Sequence, residues 1–306
     1  MPRQQLMHPE NCDTLKVKFE CPCCLLNRAY VETEMATENS EVRLQTLIEV
    51  MRVLAENFTL ETTPAYMGTL RDRQIKISTK NPDPFKNVKI ASNREALEIL
   101  PKAIDYVARS GSSSERFRRA CLISIVGNAF EFGIKDYRFS FDDLSKLIEK
   151  VEEDLHVDQI LEIESAARHA NNVLLLTDNA GEIAFDKILV EELKRMGLYV
   201  TVAVKSSPVS NDATMEDASF ALMDQSADEV ITTGADSLGL ITSDCSGEFL
   251  EIYSKAGLVI AKGMAHYETL TEYSLKQPHA LLLKAKCRPI AEDLNVKIGG
   301  NIAKLL

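Results

Sequence analysis

Two short motifs put oxygen ligands where apolar runs end. Asp178-Asn179 follows the run VLLLT, and Asn211-Asp212 lies in SSPVSNDAT, just after YVTVAV and Lys205. A third run, LVIA, ends in Lys262-Gly263, and a fourth, ALLLKAK, contains Lys284 and Lys286. Carboxylate and amide oxygens suit hard divalent cations such as magnesium or manganese. Lysines and helix N-termini suit phosphate oxygens. A cation shared between protein carboxylates and a phosphoryl group polarises the phosphorus and activates a water. Lysine charge then offsets the equatorial oxygens of the transition state. Hydrolysis of a phosphate ester is the reaction these residue types fit best. Singly, they have plainer uses. Asp and Asn are good N-caps, Glu182 and Asp186 favour first helical turns through the dipole, and Lys262 suits a solvated strand end. Spacing alone leaves both readings open.

Whether these residues meet depends on the elements that carry them. VLLLT, YVTVAV, EVITT, LVIAK and ALLLKAK are short, apolar and separated mostly by helical patterns. Such runs predict a parallel sheet covered on both faces. Open parallel sheets bind ligands beyond the carboxyl ends of their strands. Asp178, Asn179, Lys205, Asn211, Asp212 and Lys262 would therefore converge at one edge.

The first half has a helical rhythm. Leu44, Leu47, Ile48, Met51 and Leu54 recur at three- and four-residue steps. Similar patterns predict helices over 96–107, 117–129, 144–151 and 157–169. Pro82 and Pro84 predict an irregular loop over 81–93, and Gly111 to Ser114 a turn between helices. The expected architecture is α/β: a helical N-terminal portion over 1–168, then a Rossmann-like, mostly parallel sheet with helices on both faces over 169–306.

Composition narrows the partners. A net charge of −11 argues against general affinity for nucleic acid or anionic membrane surfaces. The segment MPRQQLMHPENC lacks the apolar core of a signal peptide, and no run approaches the roughly 18 apolar residues of a membrane span. A cytoplasmic protein acting on a small phosphorylated metabolite is expected.

Several motifs also resemble, in order, those of the metal-dependent damage-control phosphatases, long labelled a domain of unknown function. They are CPCCLLNRA, NPDPFK, GNAFEFG, TDNAGEIAFD, SSPVSNDATMEDA, AKGMAHYETL and LLKAKCRPIAEDLNV. The branch with an N-terminal Cys-x-x-Cys is the nearest likeness. The resemblance implies a helical part packed on a Rossmann-like core, and phosphatase activity on sugar phosphates or damaged cofactor intermediates. It implies that Asp178, Asn179 and Asp212 hold one divalent cation (manganese, magnesium, nickel or cobalt), and that Lys262 holds the phosphate. It brings Asn128 to the same pocket and makes Arg28 and Asp83 candidates for substrate contact, beside Lys205, Glu182 and Asn211. One departure stands out: Ala265 and His266 occupy positions where the family carries glycine and asparagine. Bulkier residues there would alter the shape offered to substrate.

The expected reaction is in-line attack at phosphorus, by a metal-activated water or by a carboxylate, with Asp178, Asp212 and Lys262 as the catalytic set. Two other classes compete. A carboxyl methyltransferase would need a glycine-rich loop after the first strand, which Asp-Asn-Ala-Gly-Glu resembles poorly. A protein that binds metal or phosphometabolite without turnover would need the same ligands.

Seven cysteines suggest no disulfide framework. Cys21 and Cys24 form a Cys-x-x-Cys pair that, with Cys12 and His8, could hold a second, structural metal. Buried or partly exposed thiols near a helix start are the alternative, for Cys23 as well.

Overall fold

The computed structural model describes residues 15–129, 148 and 150–306. Seven strands form one sheet: β1 (Leu155–Asp158), β2 (Asn172–Leu176), β3 (Tyr199–Val204), β4 (Glu229–Thr232), β5 (Leu258–Lys262), β6 (His279–Lys284) and β7 (Asn301–Leu305). Their order is β1-β7-β6-β5-β2-β3-β4. All neighbours are parallel except β6 and β7.

Period-two alternation sends each strand's residues to two separate cores. Val173, Leu175, Val200, Val202, Leu258 and Ile260 pack on one face with apolar residues of the helices Lys86–Ala108, Ser113–Ala129, Ile160–His169 and Glu182–Arg195. Leu174, Leu176, Ala203, Val259, Ala261 and Leu281 pack on the other. Phe249, Tyr267 and Ile290 cover that second face from the helices Gly247–Lys255, Gly263–Leu270 and Arg288–Asp293. Both faces are buried, which is why the strands read as unbroken apolar runs. The helices Cys21–Ala36, Ser40–Asn57 and Pro64–Thr79 share a third cluster, with Leu25, Val50, Leu54, Met67 and Ile75 at its centre.

The chain runs from β2 outward to β3 and β4, then crosses back to place β5 on the other side of β2. β2 and β5 therefore flank the point where strand order reverses, and a crevice opens there beyond their carboxyl ends. Asp178 follows one strand and Lys262 ends the other.

Two expectations need correction. The prolines of 81–93 occupy only the start of that segment: a helix begins at Lys86 and buries Lys89, Ser92 and Asn93. A proline restrains its own and its preceding residue, not those after it. The helix expected over 157–169 starts at Ile160, because Leu155–Asp158 forms a strand paired with β7. Neither β1 nor β7 was expected: β1 pairs with a segment far away in sequence, and β7 is a short run with only three of five residues buried. The turn at Gly111 does lie between two helices, Lys86–Ala108 and Ser113–Ala129. Most of the helix expected over 144–151, and the end of GNAFEFG, lie outside the described residues. No helix among the described residues is long and apolar enough to cross a membrane.

Candidate active site

Main-chain hydrogen bonds join the two acidic loops before any side chain is considered. Ala213 N–H donates to Asp178 C=O at 2.7 Å, and Ala180 N–H donates to Asn211 C=O at 2.9 Å. Between them Asn179 and Asp212 form an isolated bridge. Asp178, Asn179 and Asp212 are thereby set side by side at the end of β2. Ser210, just ahead, takes a left-handed φ of +48°, a conformation that costs a non-glycine residue energy and is often found at functional sites.

Two glycines make room for this arrangement. Gly181 has a φ of +78°, its N–H donates to Asn93 Oδ1 at 2.7 Å, and a Cβ there would press on the Ser92 carbonyl. Gly263 also has a φ of +78°, and a Cβ on it would run into the Asp178 carboxylate.

Asn128 and Asn179 both donate amide hydrogens to Asp178 Oδ2, at 2.7 and 2.8 Å. Each also reaches Glu182 Oε2, at 3.0 and 2.9 Å. With Nδ2 so engaged, Oδ1 is the remaining polar atom of the Asn179 amide. Burial, and then the nearby Glu182 charge, pushes the Asp178 carboxyl up to about 7. Burial raises Asp212 well above the usual carboxylate range, with Asp178 adding to the effect against the pull of Lys205. Asp212 Oδ2 is buried without a hydrogen-bond partner. Two buried carboxylates and one amide on adjoining loops have the donor chemistry that suits a hard divalent cation. Among the described residues no group of three His, Cys, Asp or Glu side chains is placed to hold a metal ion.

Lys262 lies differently from the expectation of a phosphate ligand. Its ammonium pairs with Glu182, with Asp186 at 2.9 Å and with the Ser124 carbonyl at 3.0 Å, and it is wholly buried. An ammonium has three hydrogens to donate, and these partners match all of them. Burial works to raise Glu182, yet Lys262 holds it below its ordinary value. Lys205 is also buried, donating to Gly239 C=O at 2.6 Å and standing 3.7 Å from the Asp212 carboxylate. Asp83 pairs with Lys89 at 3.2 Å, and Lys89 stands 3.4 Å from Asp217.

A cavity of about 490 Å³ opens in front of Asp178, Asn179 and Asp212. Asn128, Asn211, Arg28 and Lys286 line it with them. Lys205, Glu182, Lys262 and Asp83 do not, and support it from behind or beside. Arg28 donates to Ser210 Oγ at 3.4 Å. Arg71, also in the wall, is held by Asp72 at 2.7 Å and faces Glu32 at 3.6 Å. Sequence reasoning missed Arg71 and the helix that carries it; Lys286 was visible only as one lysine of an apolar run. Ala265 lines the cavity, whereas His266 is buried and donates from Nδ1 to Lys262 C=O at 2.7 Å. Burial, helped by Lys205, lowers His266 to about 3, so its ring is neutral.

The thiols sit at the same cavity. Cys21, Cys24 and Cys287 line it; Cys21 is buried, while Cys23 and Cys24 are exposed. Cys12 and His8, the other ligands of the expected structural metal, lie outside the described residues.

Comparison with known proteins agrees along almost the whole chain. A family model described as the damage-control phosphatase ARMT1-like domain matches residues 17–302. A protein of Archaeoglobus fulgidus named damage-control phosphatase is 36% identical over 293 residues, which cover 95% of this chain and 100% of that one. A damage-control phosphatase of Pyrococcus horikoshii is 34% identical over 287 residues, covering 93% and 96%. The crystal structure of a DUF89 family protein from P. horikoshii superposes with a TM-score of 0.84 at 33% identity, covering 94% of this chain and 98% of that one. The chain belongs to the damage-control phosphatase ARMT1-like domain family.

Proposed function

We propose that this protein is a divalent-metal-dependent phosphatase that hydrolyses phosphate monoesters of small metabolites, the class that includes sugar phosphates and damaged cofactor intermediates. The observation that carries the reading is the placement of Asp178, Asn179 and Asp212. They stand together at the strand-order reversal, at the wall of a cavity that Arg28 and Lys286 also line. Relatives named as damage-control phosphatases support it.

A cation held by Asp178, Asn179 and Asp212 (manganese, magnesium, nickel or cobalt) would supply Lewis acidity toward the phosphoryl group. The chain supplies the rest. Asn128 and Asn179 orient Asp178 through their amide hydrogens, and Lys205 stands as counter-charge behind Asp212. Arg28 and Lys286, at the cavity wall, offset the charge of the bound phosphate. Lys262 acts as a positioning residue: it neutralises Glu182 and Asp186, and Glu182 accepts from both asparagines. Asn211 and Ser210 present the polar rim next to Asp212. Attack at phosphorus comes from a water or a carboxylate, with the leaving oxygen in line.

A phosphate-release screen over sugar phosphates and cofactor phosphates, with each of the four metals added, tests the reading. Release that depends on metal and is lost in Asp178→Ala supports it. No release with any pair, alongside retained metal binding, would favour a binding protein.

A further inference from the structure

The cavity is far larger than a cation and a phosphate require. At about 490 Å³ it falls within the roughly 300–1,000 Å³ of pockets that enclose a whole small-molecule ligand. Beyond the polar residues already described, its wall is mostly apolar, with Glu20, Asn27 and Glu268 as the exceptions. Leu25 and Val31 contribute from the helix Cys21–Ala36, Phe85 and Leu238 from loops, and Met264 and Ile290 from helices on the second face of the sheet. Val31 is exposed despite its size.

Three further titratable groups of this wall are pushed toward their uncharged forms. Burial raises the Cys21 thiol, pushes Cys287 to about 11 and pushes the Glu268 carboxyl to about 8. Glu20, at the rim, is paired with Arg288 at 3.2 Å. Arg71 is tied up by Asp72, which leaves Arg28 and Lys286 as the cations of the wall without a carboxylate ion pair among the described residues. A polyhydroxylated body would lose water against Leu25, Val31, Phe85 and Met264 with few partners in return, which selects against it.

We infer that the phosphate ester taken by this cavity carries an uncharged, largely apolar organic body, and not a compact sugar. The inference rests on the phosphatase reading above and narrows its substrate class. The apolar wall gains from every methylene it hides, and two buried methylenes correspond to about a tenfold gain in kcat/KM.

Two primary alkyl phosphates that differ in polarity test it: hexyl phosphate against glycerol 3-phosphate, with the manganese-loaded full-length chain. Binding of hexylphosphonate and methylphosphonate is measured beside them by calorimetry. The expected result is a kcat/KM at least about tenfold higher for hexyl phosphate, with hexylphosphonate binding correspondingly tighter. Val31→Asp should narrow that ratio to about threefold or less, whereas Val31→Leu should preserve it. Release from glycerol 3-phosphate as fast as from hexyl phosphate, with equal phosphonate affinities, overturns the inference and leaves the phosphatase reading standing. Tighter hexylphosphonate binding without release from any ester overturns the phosphatase reading while the apolar preference of the cavity stands. Absence of both release and phosphonate binding overturns both.

Discussion

Gly263 stands against Asp178: the glycine's α-carbon faces the carboxylate so closely that any side chain at 263 would occupy the same space. Its φ of +78° is, in addition, a conformation that L-residues adopt only at a cost. Gly263→Ala should therefore move Asp178 away from Asn179 and Asp212. A fall of about a hundredfold or more in kcat is expected, with far-UV circular dichroism unchanged, because small misplacements of a reacting group are costly. A variant with near-normal kcat would show that Asp178 does not need this position.

Lys262 sits between Glu182 and Asp186 with no exposure to water. Removing one partner of a buried ion cluster leaves the others uncompensated. Lys262→Met should lower unfolding free energy by about 3–5 kcal/mol in urea titrations. Adding Glu182→Gln and Asp186→Asn should recover most of that stability without recovering turnover. Failure of the triple variant to regain stability would mean that Lys262 contributes mainly by packing.

Asp178→Asn and Asp212→Asn change one atom each and keep the shape of the site. Both should abolish metal-dependent phosphate release and the rise in Tm that manganese produces. Asp178→Asn should leave the metal-free Tm no lower than that of the parent, since it removes a buried charge beside Glu182. Full activity in either variant would refute the ligand assignment.

The carboxyls of Asp178 and Asp212 hold their protons more tightly in the folded chain than in the unfolded one, owing first to burial. The contribution of Asp178 to metal-free stability is complete below about pH 4 and is lost as pH rises through about 7, and that of Asp212 is lost in the same direction. Cation binding requires the deprotonated forms and so runs the other way. The increment in Tm on adding manganese should be largest above about pH 7 and shrink toward about pH 5. Thermal shifts measured with and without metal across that range check it, and an increment independent of pH would contradict it.

The runs from Val173 to Lys286 were legible because both faces of the sheet are covered, so each central strand is apolar throughout. The ends of those strands located Asp178, Asn179 and Asp212. β1 was not legible, since its partner β7 lies about 150 residues away, and β7 was not because it is short and only three of its five residues are buried. The helix Pro64–Thr79 was hidden for a different reason. It buries Thr69, Arg71 and Asp72 as well as Met67 and Ile75, which blurs its apolar period. The environment of Lys262 was beyond sequence reasoning, because its partners come from two other helices.

The paired loops that carry Asp178, Asn179 and Asp212 are tied to each other through main-chain atoms, which are the same whatever the side chains. Much of the wall facing them belongs to helices with an apolar cluster of their own. Substitutions on those helices would therefore alter what enters the cavity while the main-chain pairing of the loops stays in place.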